Sequence, residues 1–533
     1  MEHFTYDVLV VGSGAAGLRA AIAAREKGAE VCVISKGSLG KTTSTLLSGG
    51  AFAGAQEGAF QDKHLKRTLQ AGRGINQREL AEILAEEGPL RLKELEAWGV
   101  KAEIQDGYLF SKGRPPIWGE EIVRCLLRKT KASGVQLIGG LEVTHLKVQE
   151  GATGVVAHSA LSGNWLTFSS KALVLATGGA GALFLRHDNP QRMLGEGYFL
   201  ALEAGALLQD MEFVQFYPLG VAEPGLPSFL ISPHLGDLGR LFNSHGEEIL
   251  EKHGIHERPA ALKARDKLSQ AIFKEIYREG EEVLLDLRGL TEEEWRVDPL
   301  SASSRVILGE RYGAIHRPVH VAPMAHHTMG GVRIDSRGAT SAPGLFAAGE
   351  VTGGLHGANR MGGNALTETQ VFGARAGEAA AAWAKDSDDP DSQSLLGELE
   401  AFVLKSASNK TRSDTKPNSA RLKGTLREIL WNDGGILRNQ QGLTRALNAV
   451  KAIQAEAFGL YLGDNPREVQ RIFELRFASQ TAAIILQGAI RREESRGAHF
   501  REDFPDQDDE NWRGHLQVCL SPKGEQVWTF QAI

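Results

Sequence analysis

Cysteine is scarce, with three in 533 residues. Cys32, Cys125 and Cys519 lie far apart and form no C-x-x-C pair. This excludes a disulfide framework and any zinc or iron–sulfur site made from the chain's own thiols. A reducing compartment, the cytoplasm, is expected, and no metal. Long apolar runs are missing as well. The most apolar stretches, 172–176 and 482–486, are far shorter than the roughly 18 residues a spanning helix needs, so no direct membrane span is expected. The opening residues MEHFTYDVLVVGSG lack a basic segment followed by an apolar stretch and a small-residue cleavage site, so export is not expected either. Basic residues hold no excess: 60 Lys and Arg face 66 Asp and Glu, a formal charge of -6. The electrostatic footprint of a nucleic-acid binder is therefore absent.

What is present is the composition of a globular protein, 42% hydrophobic and 24% charged. At roughly 150 residues per domain the length implies about three domains, and a multi-domain enzyme with a cleft is the default expectation. Glycine is the exception. Its 62 copies in 533 residues exceed the roughly 7% of average proteins. They gather at 12–17, 49–54, 178–181, 195–197, 330–331, 349–363 and 373–377, where backbone can approach a ligand closely.

Residues 6–34 are the clearest unit. An apolar strand at 6–11 runs into Gly12-Ser13-Gly14-Ala15-Ala16-Gly17, an Ala-rich helix follows, and a second strand spans 29–34. This is a βαβ unit with G-x-G-x-x-G at its strand-to-helix turn. Gly12 permits the tight turn, Gly14 lets a pyrophosphate reach the helix N-terminus, and Gly17 allows close helix–strand packing. Ser35-Lys36 stands where an acidic residue normally binds the ribose, so the fingerprint alone does not name the dinucleotide. Residues 137–175 alternate as strands and end in a buried run entering Thr177-Gly178-Gly179, which returns the chain to the nucleotide sheet. Residues 226–322 lose the glycine clusters and read as an insertion. The polar stretch DSDDPDSQS at 386–394 reads as a linker to a helical appendage.

Taken in order, the motifs resemble the flavoprotein subunits of succinate dehydrogenase and fumarate reductase, together with L-aspartate oxidase. The resemblance covers the whole chain. It runs from the G-S-G-A-A-G turn through Ala176-Thr-Gly-Gly179, Asp210-Met-Glu-Phe-Val-Gln-Phe216 and Ala325-His326-His-Thr-Met-Gly-Gly331. It continues in Gly344-Leu-Phe-Ala-Ala-Gly-Glu350, Gly354-Leu-His-Gly-Ala-Asn-Arg360-Met-Gly-Gly-Asn364-Ala-Leu366 and Glu494-Ser-Arg-Gly-Ala-His499. It implies an α/β fold: a Rossmann-like FAD-binding domain (1–225 and 323–385) interrupted by an α+β capping domain (226–322), then a C-terminal helical domain (395–533).

The resemblance also implies roles. Gly12, Gly14, Ala15 and Gly17 would hold the FAD pyrophosphate, Ser35 and Lys36 the adenosine end, and Glu350 the ribityl or ribose hydroxyls. Ser48, Gly49, Gly50, Thr177 and Gly178 would complete the cofactor walls, with Asn364, Ala365 and Leu366 along the isoalloxazine. Thr43 stands where covalent members carry a flavin-tethering histidine, so the FAD is expected to be non-covalent. Arg360 and His326 match the residues that bind a substrate carboxylate, and Arg265 the arginine that moves a proton. His327 and His356 read as supporting residues.

Two departures bear on the substrate. Tyr217 replaces a histidine that helps bind the second carboxylate, and at the family's T-E-x-x-R-G-E-G stretch Ser232 and Leu235 replace the glutamate and arginine. The substrate is thus expected to be a small carboxylate or acyl compound that carries only one carboxylate, or something other than a carboxylate at its second end, and to bind succinate and fumarate poorly, with Tyr217, His234 and Asp237 as candidates for a different recognition surface. The implied chemistry is hydride transfer between flavin N5 and a C–C bond next to a carboxyl or acyl group. With no cluster of its own, the chain would exchange electrons with an iron–sulfur partner, and any membrane association would come through partners. The alternatives are L-aspartate oxidase and a non-catalytic electron-transfer flavoprotein.

Overall fold

A computed structural model describes residues 1–114, 117–149, 151–388 and 418–533, with positions 397 and 401 between the last two stretches. Most of the acidic linker and the start of the C-terminal unit, from residue 389 to 417, lie outside the described residues apart from those two positions.

The first sheet is built on β1 (Glu2–Val11), which pairs in parallel with β2 (Val31–Ser35) on one side and Trp165–Leu175 on the other. Gln136–Gly139 extends it in parallel beyond β2. The long strand Trp165–Leu175 then divides. Its first half pairs antiparallel with Ala152–Ser159, while Leu173–Leu175 pair in parallel with Leu345–Ala347. The second half of β1 is fully buried apolar sequence, as a central parallel strand covered on both faces should be.

Between β1 and β2 lies α1 (Ala15–Glu26), whose residues 15–24 are all buried. Small side chains explain why it packs so closely. A Cβ on Gly377 of the helix Asn364–Asp386 would stand 2.1 Å from the Ala20 carbonyl oxygen of α1, and one on Gly17 would stand 2.0 Å from that of Gly12. Gly17 therefore belongs to the packing of the turn.

The inserted unit has its own core and a four-stranded antiparallel sheet, ordered Val214–Val221, Val319–Thr328, Val283–Asp286, Arg240–Asn243. Its core takes in Tyr217 and Met324, which lie just outside 226–322 in sequence. Loss of glycine marks the insertion in sequence, but its first and last strands carry motifs shared with the nucleotide unit.

The C-terminal unit is helical at Ser419–Asp433, Gln440–Gly459 and Pro466–Arg491, the last two capped by Asn439 and Asn465 side chains. It does not stay helical. Gly514–Leu520 and Gln526–Ala532 form a hairpin whose first strand pairs with Leu208–Gln209 of the nucleotide unit. The joint is ionic and fully buried. Arg492 donates to Glu212 (2.6 Å), Glu494 (3.0 Å) and Asp210 (3.4 Å), and His515 pairs with Asp210.

Deleting the cation leaves three buried carboxylates around an unfilled centre. Arg492→Leu is expected to destabilise the protein by about 3–5 kcal/mol, the usual cost of breaking a buried ion pair from one side. Chemical unfolding of the purified variant measures it, and a loss under about 1 kcal/mol would show the network to be dispensable.

Candidate active site

A cavity of about 680 Å³ begins at the β1–α1 turn and ends under the inserted unit. Its first part has the requirements of a dinucleotide. Gly14 caps α1 without a side-chain hydrogen bond, so the helix presents backbone donors at its positive end. Val11, Ile34, Leu141, Val143, Met193 and Leu200 supply apolar wall. The Thr177 hydroxyl is buried without a partner among the described residues. Glu350 accepts from the Thr328 N–H at 3.1 Å, and burial pushes its carboxyl up to about 7. A polyhydroxylated ligand supplies the donors these acceptors lack, so the residues present fit FAD. Gly12, Gly14, Ala15, Ser35, Lys36, Thr43, Ser48, Gly49, Gly50, Thr177, Gly178, Glu350, Ala365 and Leu366 all line the cavity.

Asn364 does not. Its side chain turns away, accepting from His64 Nε2 (2.7 Å) and donating to Thr68 (2.9 Å) on the helix Ala59–Ala71. Thr43 is the N-cap of a short helix at Ser44–Leu47 and accepts from the Leu46 N–H.

The far part of the cavity is cationic. Arg265, on the helix Arg265–Tyr277 of the inserted unit, and Arg360, in the loop before Asn364, are both buried. Arg265 donates to Gln215 Oε1 at 2.9 Å and Arg360 to the same oxygen at 3.0 Å. Gln215 is held from its other side by the Asn359 side chain and the Arg360 carbonyl. Neither guanidinium pairs with a carboxylate among the described residues, and Arg360 Nε has no partner there. Burial, then Arg265, lowers the Arg360 guanidinium to about 9. Lys63, Arg67 and Lys263 also line this end without a salt bridge among the described residues. So much unneutralised positive charge calls for an anion.

His326 reaches the same space and donates from Nδ1 to Asp188 at 2.6 Å. Asn189 fixes Asp188 through its amide and also donates to the His326 carbonyl. Burial lowers His326 despite that carboxylate, and it lowers the neighbouring His327 further. His356 stands behind, bonded to Glu368, which also accepts from Thr352.

Of the three expected recognition residues, the structure brings two to the cavity. Tyr217 has its ring 5.4 Å from the Arg265 guanidinium and 5.7 Å from the His326 ring, with its hydroxyl committed to the Ile231 carbonyl. His234 lines the cavity and bonds Asp298 at 3.0 Å. Asp237 faces elsewhere, accepting from the Ala260 N–H at 3.0 Å. Leu235 is buried in the core of the inserted unit, and Ser232 donates to Asp298. Sequence alone does not single out Gln215, Asp188 and Asp298; each meets its partner in the site 50 to 145 residues away, where no spacing rule operates.

Residues 7–366 match the model of the FAD binding domain and residues 423–530 that of the fumarate reductase flavoprotein C-terminus. The chain belongs to the fumarate reductase and succinate dehydrogenase flavoprotein family. One component of the CoM/CoB fumarate reductase of Methanothermobacter marburgensis is 34% identical over 532 residues, covering 95% of each chain. L-aspartate oxidase of Streptomyces coelicolor is also 34% identical, over 97% of this chain and 92% of that protein. A mutant of E. coli quinol fumarate reductase FrdA superposes with a TM-score of 0.89 at 27% identity, covering 100% of this chain and 97% of that one. Like its relatives the chain binds FAD and is an FAD-dependent oxidoreductase of the class acting on CH–CH groups.

With threonine at the tethering position, acid precipitation of the yellow holoprotein should release all FAD into the supernatant. Flavin absorbance left on the washed, denatured chain would contradict non-covalent binding.

Proposed function

We propose that this flavoprotein interconverts a C–C single and double bond next to a carboxylate, with Arg360 and His326 holding that carboxylate and Arg265 carrying the proton. The observation that carries the reading is the pair of buried guanidinium groups converging on Gln215 Oε1 with no acid between them. When bound, FAD supplies hydride transfer at N5. The protein's share is to position and to move a proton.

Arg360 suits the first task. Its planar fork matches a carboxylate, and its orphaned Nε leaves a donor to give. His326 receives a fixed tautomer from Asp188, so its Nε2 is the atom turned to the ligand. Arg265 suits the second. An ordinary guanidinium is too weak an acid to shuttle protons, but burial lowers this one and Arg360 adds to the positive field around it. Its Nε is anchored on the Ala261 carbonyl, which keeps the group in one orientation.

Electron exchange with an iron–sulfur partner belongs to the same proposal. It is supported by the likeness to components of larger reductases and by three free cysteines that cannot build a cluster. Among the described residues no helix is long and apolar enough to cross a membrane. A cytoplasmic location, suggested by the free thiols, is likewise proposed.

Arg360→Lys should raise KM and lower turnover together, since a point charge replaces a two-pronged contact. Arg265→Lys should lower kcat by at least about 100-fold while leaving FAD content and ligand-induced flavin absorbance changes nearly intact. Steady-state kinetics with a reduced-dye donor and binding titrations make the comparison. Full activity in both variants would instead favour a flavin that only relays electrons.

A further inference from the structure

Asp298 is the most heavily hydrogen-bonded carboxylate on the cavity wall. As N-cap of the helix Pro299–Ser304 it accepts the Leu300 and Ser301 N–H groups on Oδ1. Its Oδ2 accepts from Ser232 (2.9 Å), Ser301 (2.5 Å) and His234 Nδ1 (3.0 Å). Five donors fix this carboxylate, so it cannot itself turn toward a ligand. What it can do is orient His234. With Nδ1 tied down, the remaining donor of that ring, Nε2, is the one left for the cavity that His234 lines.

The placement is specific. Tyr217 lies between this cluster and the cationic centre, its ring against Arg265 and His326 and its hydroxyl on the Ile231 carbonyl, one residue before Ser232. His234 thus lies three residues beyond the Ile231 carbonyl that Tyr217 holds, lining the same cavity as Arg360 and His326. The second acidic end of a short substrate would fall there, and it is where this chain has exchanged a glutamate for Ser232 and an arginine for Leu235.

We propose that His234, held by Asp298, recognises the far acidic group of a small diacid as an imidazolium donor. The proposal rests on the reading of Arg360 and His326 given above. Ser232 in place of a longer acid makes room for the pair, and Lys263 on the same wall reinforces the positive field. The acids whose charge reaches His234 are Asp298 from the capped helix, which it faces, and at longer range Asp237 on its own short helix at Pro233–Leu238 and Asp106 from the turn at 106–107. Their charge, with the Asp298 hydrogen bond first, holds the imidazole above its ordinary value although burial opposes it. The consequence has a definite sign. Binding of the far acid is strongest below the raised histidine value and is lost as pH rises through it.

The test uses the oxidised holoprotein and flavin absorbance titrations with fumarate and crotonate, four-carbon acids that differ in the second carboxylate. Wild type should prefer fumarate, with a preference that falls from pH 6 to pH 8, a range below the Arg360 value of about 9, while crotonate affinity stays level. His234→Gln and Asp298→Asn should weaken fumarate by roughly 10- to 150-fold, the range of a charge-assisted hydrogen bond, and leave crotonate within about twofold. The half-exposed His234 site makes the first variant the one that folds if Asp298→Asn does not. An unchanged fumarate affinity in His234→Gln, or no preference for fumarate in wild type, overturns the proposal. Arg360→Lys separates it from the underlying reading: weakening of both ligands supports that reading whatever His234 does, and weakening of neither refutes it.

Discussion

Two guanidinium groups meeting on one neutral amide oxygen is an arrangement that a protein of ordinary charge has to be built around. Arg265 and Arg360 come from different units, and Gln215 from a third segment that joins them. None of the three can move without leaving a buried donor unsatisfied. The inserted unit is therefore not a loose lid over a finished nucleotide site. Its first strand carries Gln215 and Tyr217, and its helix carries Arg265, so the cationic centre exists only where the two cores touch.

That centre is kept charged by the absence of acids, and the acids nearby are kept busy. Glu142 pairs with Arg192, Glu196 with Lys36, Asp188 with His326 and Asp298 with His234. The cavity contains carboxylates throughout, yet no carboxylate reaches either arginine among the described residues. Each of these acids is matched by its own partner, while Arg265, Arg360, Lys63, Arg67 and Lys263 stay unpaired among the described residues toward the inserted unit. Unpaired cations at one end of a cavity raise the local concentration of anions there before any close contact forms.

Much of this is legible in the sequence because it is local. The G-x-G-x-x-G turn, the strand ending at Thr177-Gly178 and the glycine-poor insertion each follow from spacing within one segment, and family resemblance adds Arg265, His326, Arg360 and Glu350. What is not legible depends on which way a side chain turns. Asn364 and Ala365 are neighbours at a helix start, but one reaches back to His64 while the other faces the cavity. Asp237 and His234 share one short helix and face apart. The terminal hairpin is hidden for a related reason. Its second strand, QVWTFQA, is largely exposed and pairs only as an edge, so nothing buried sets it apart from the polar stretch around it.

The buried joint at Arg492 bears on how such a protein comes into being on a ribosome. Arg492 meets Glu212 across 280 residues, and His515 meets Asp210 across 305. Glu212 is three residues before Gln215. A nascent chain that has already made its nucleotide sheet and its inserted unit still holds two acidic side chains just before the strand Val214–Val221 with nothing to offset them. Without Arg492 and His515, Asp210 and Glu212 would stay buried beside that strand with no cation to offset them.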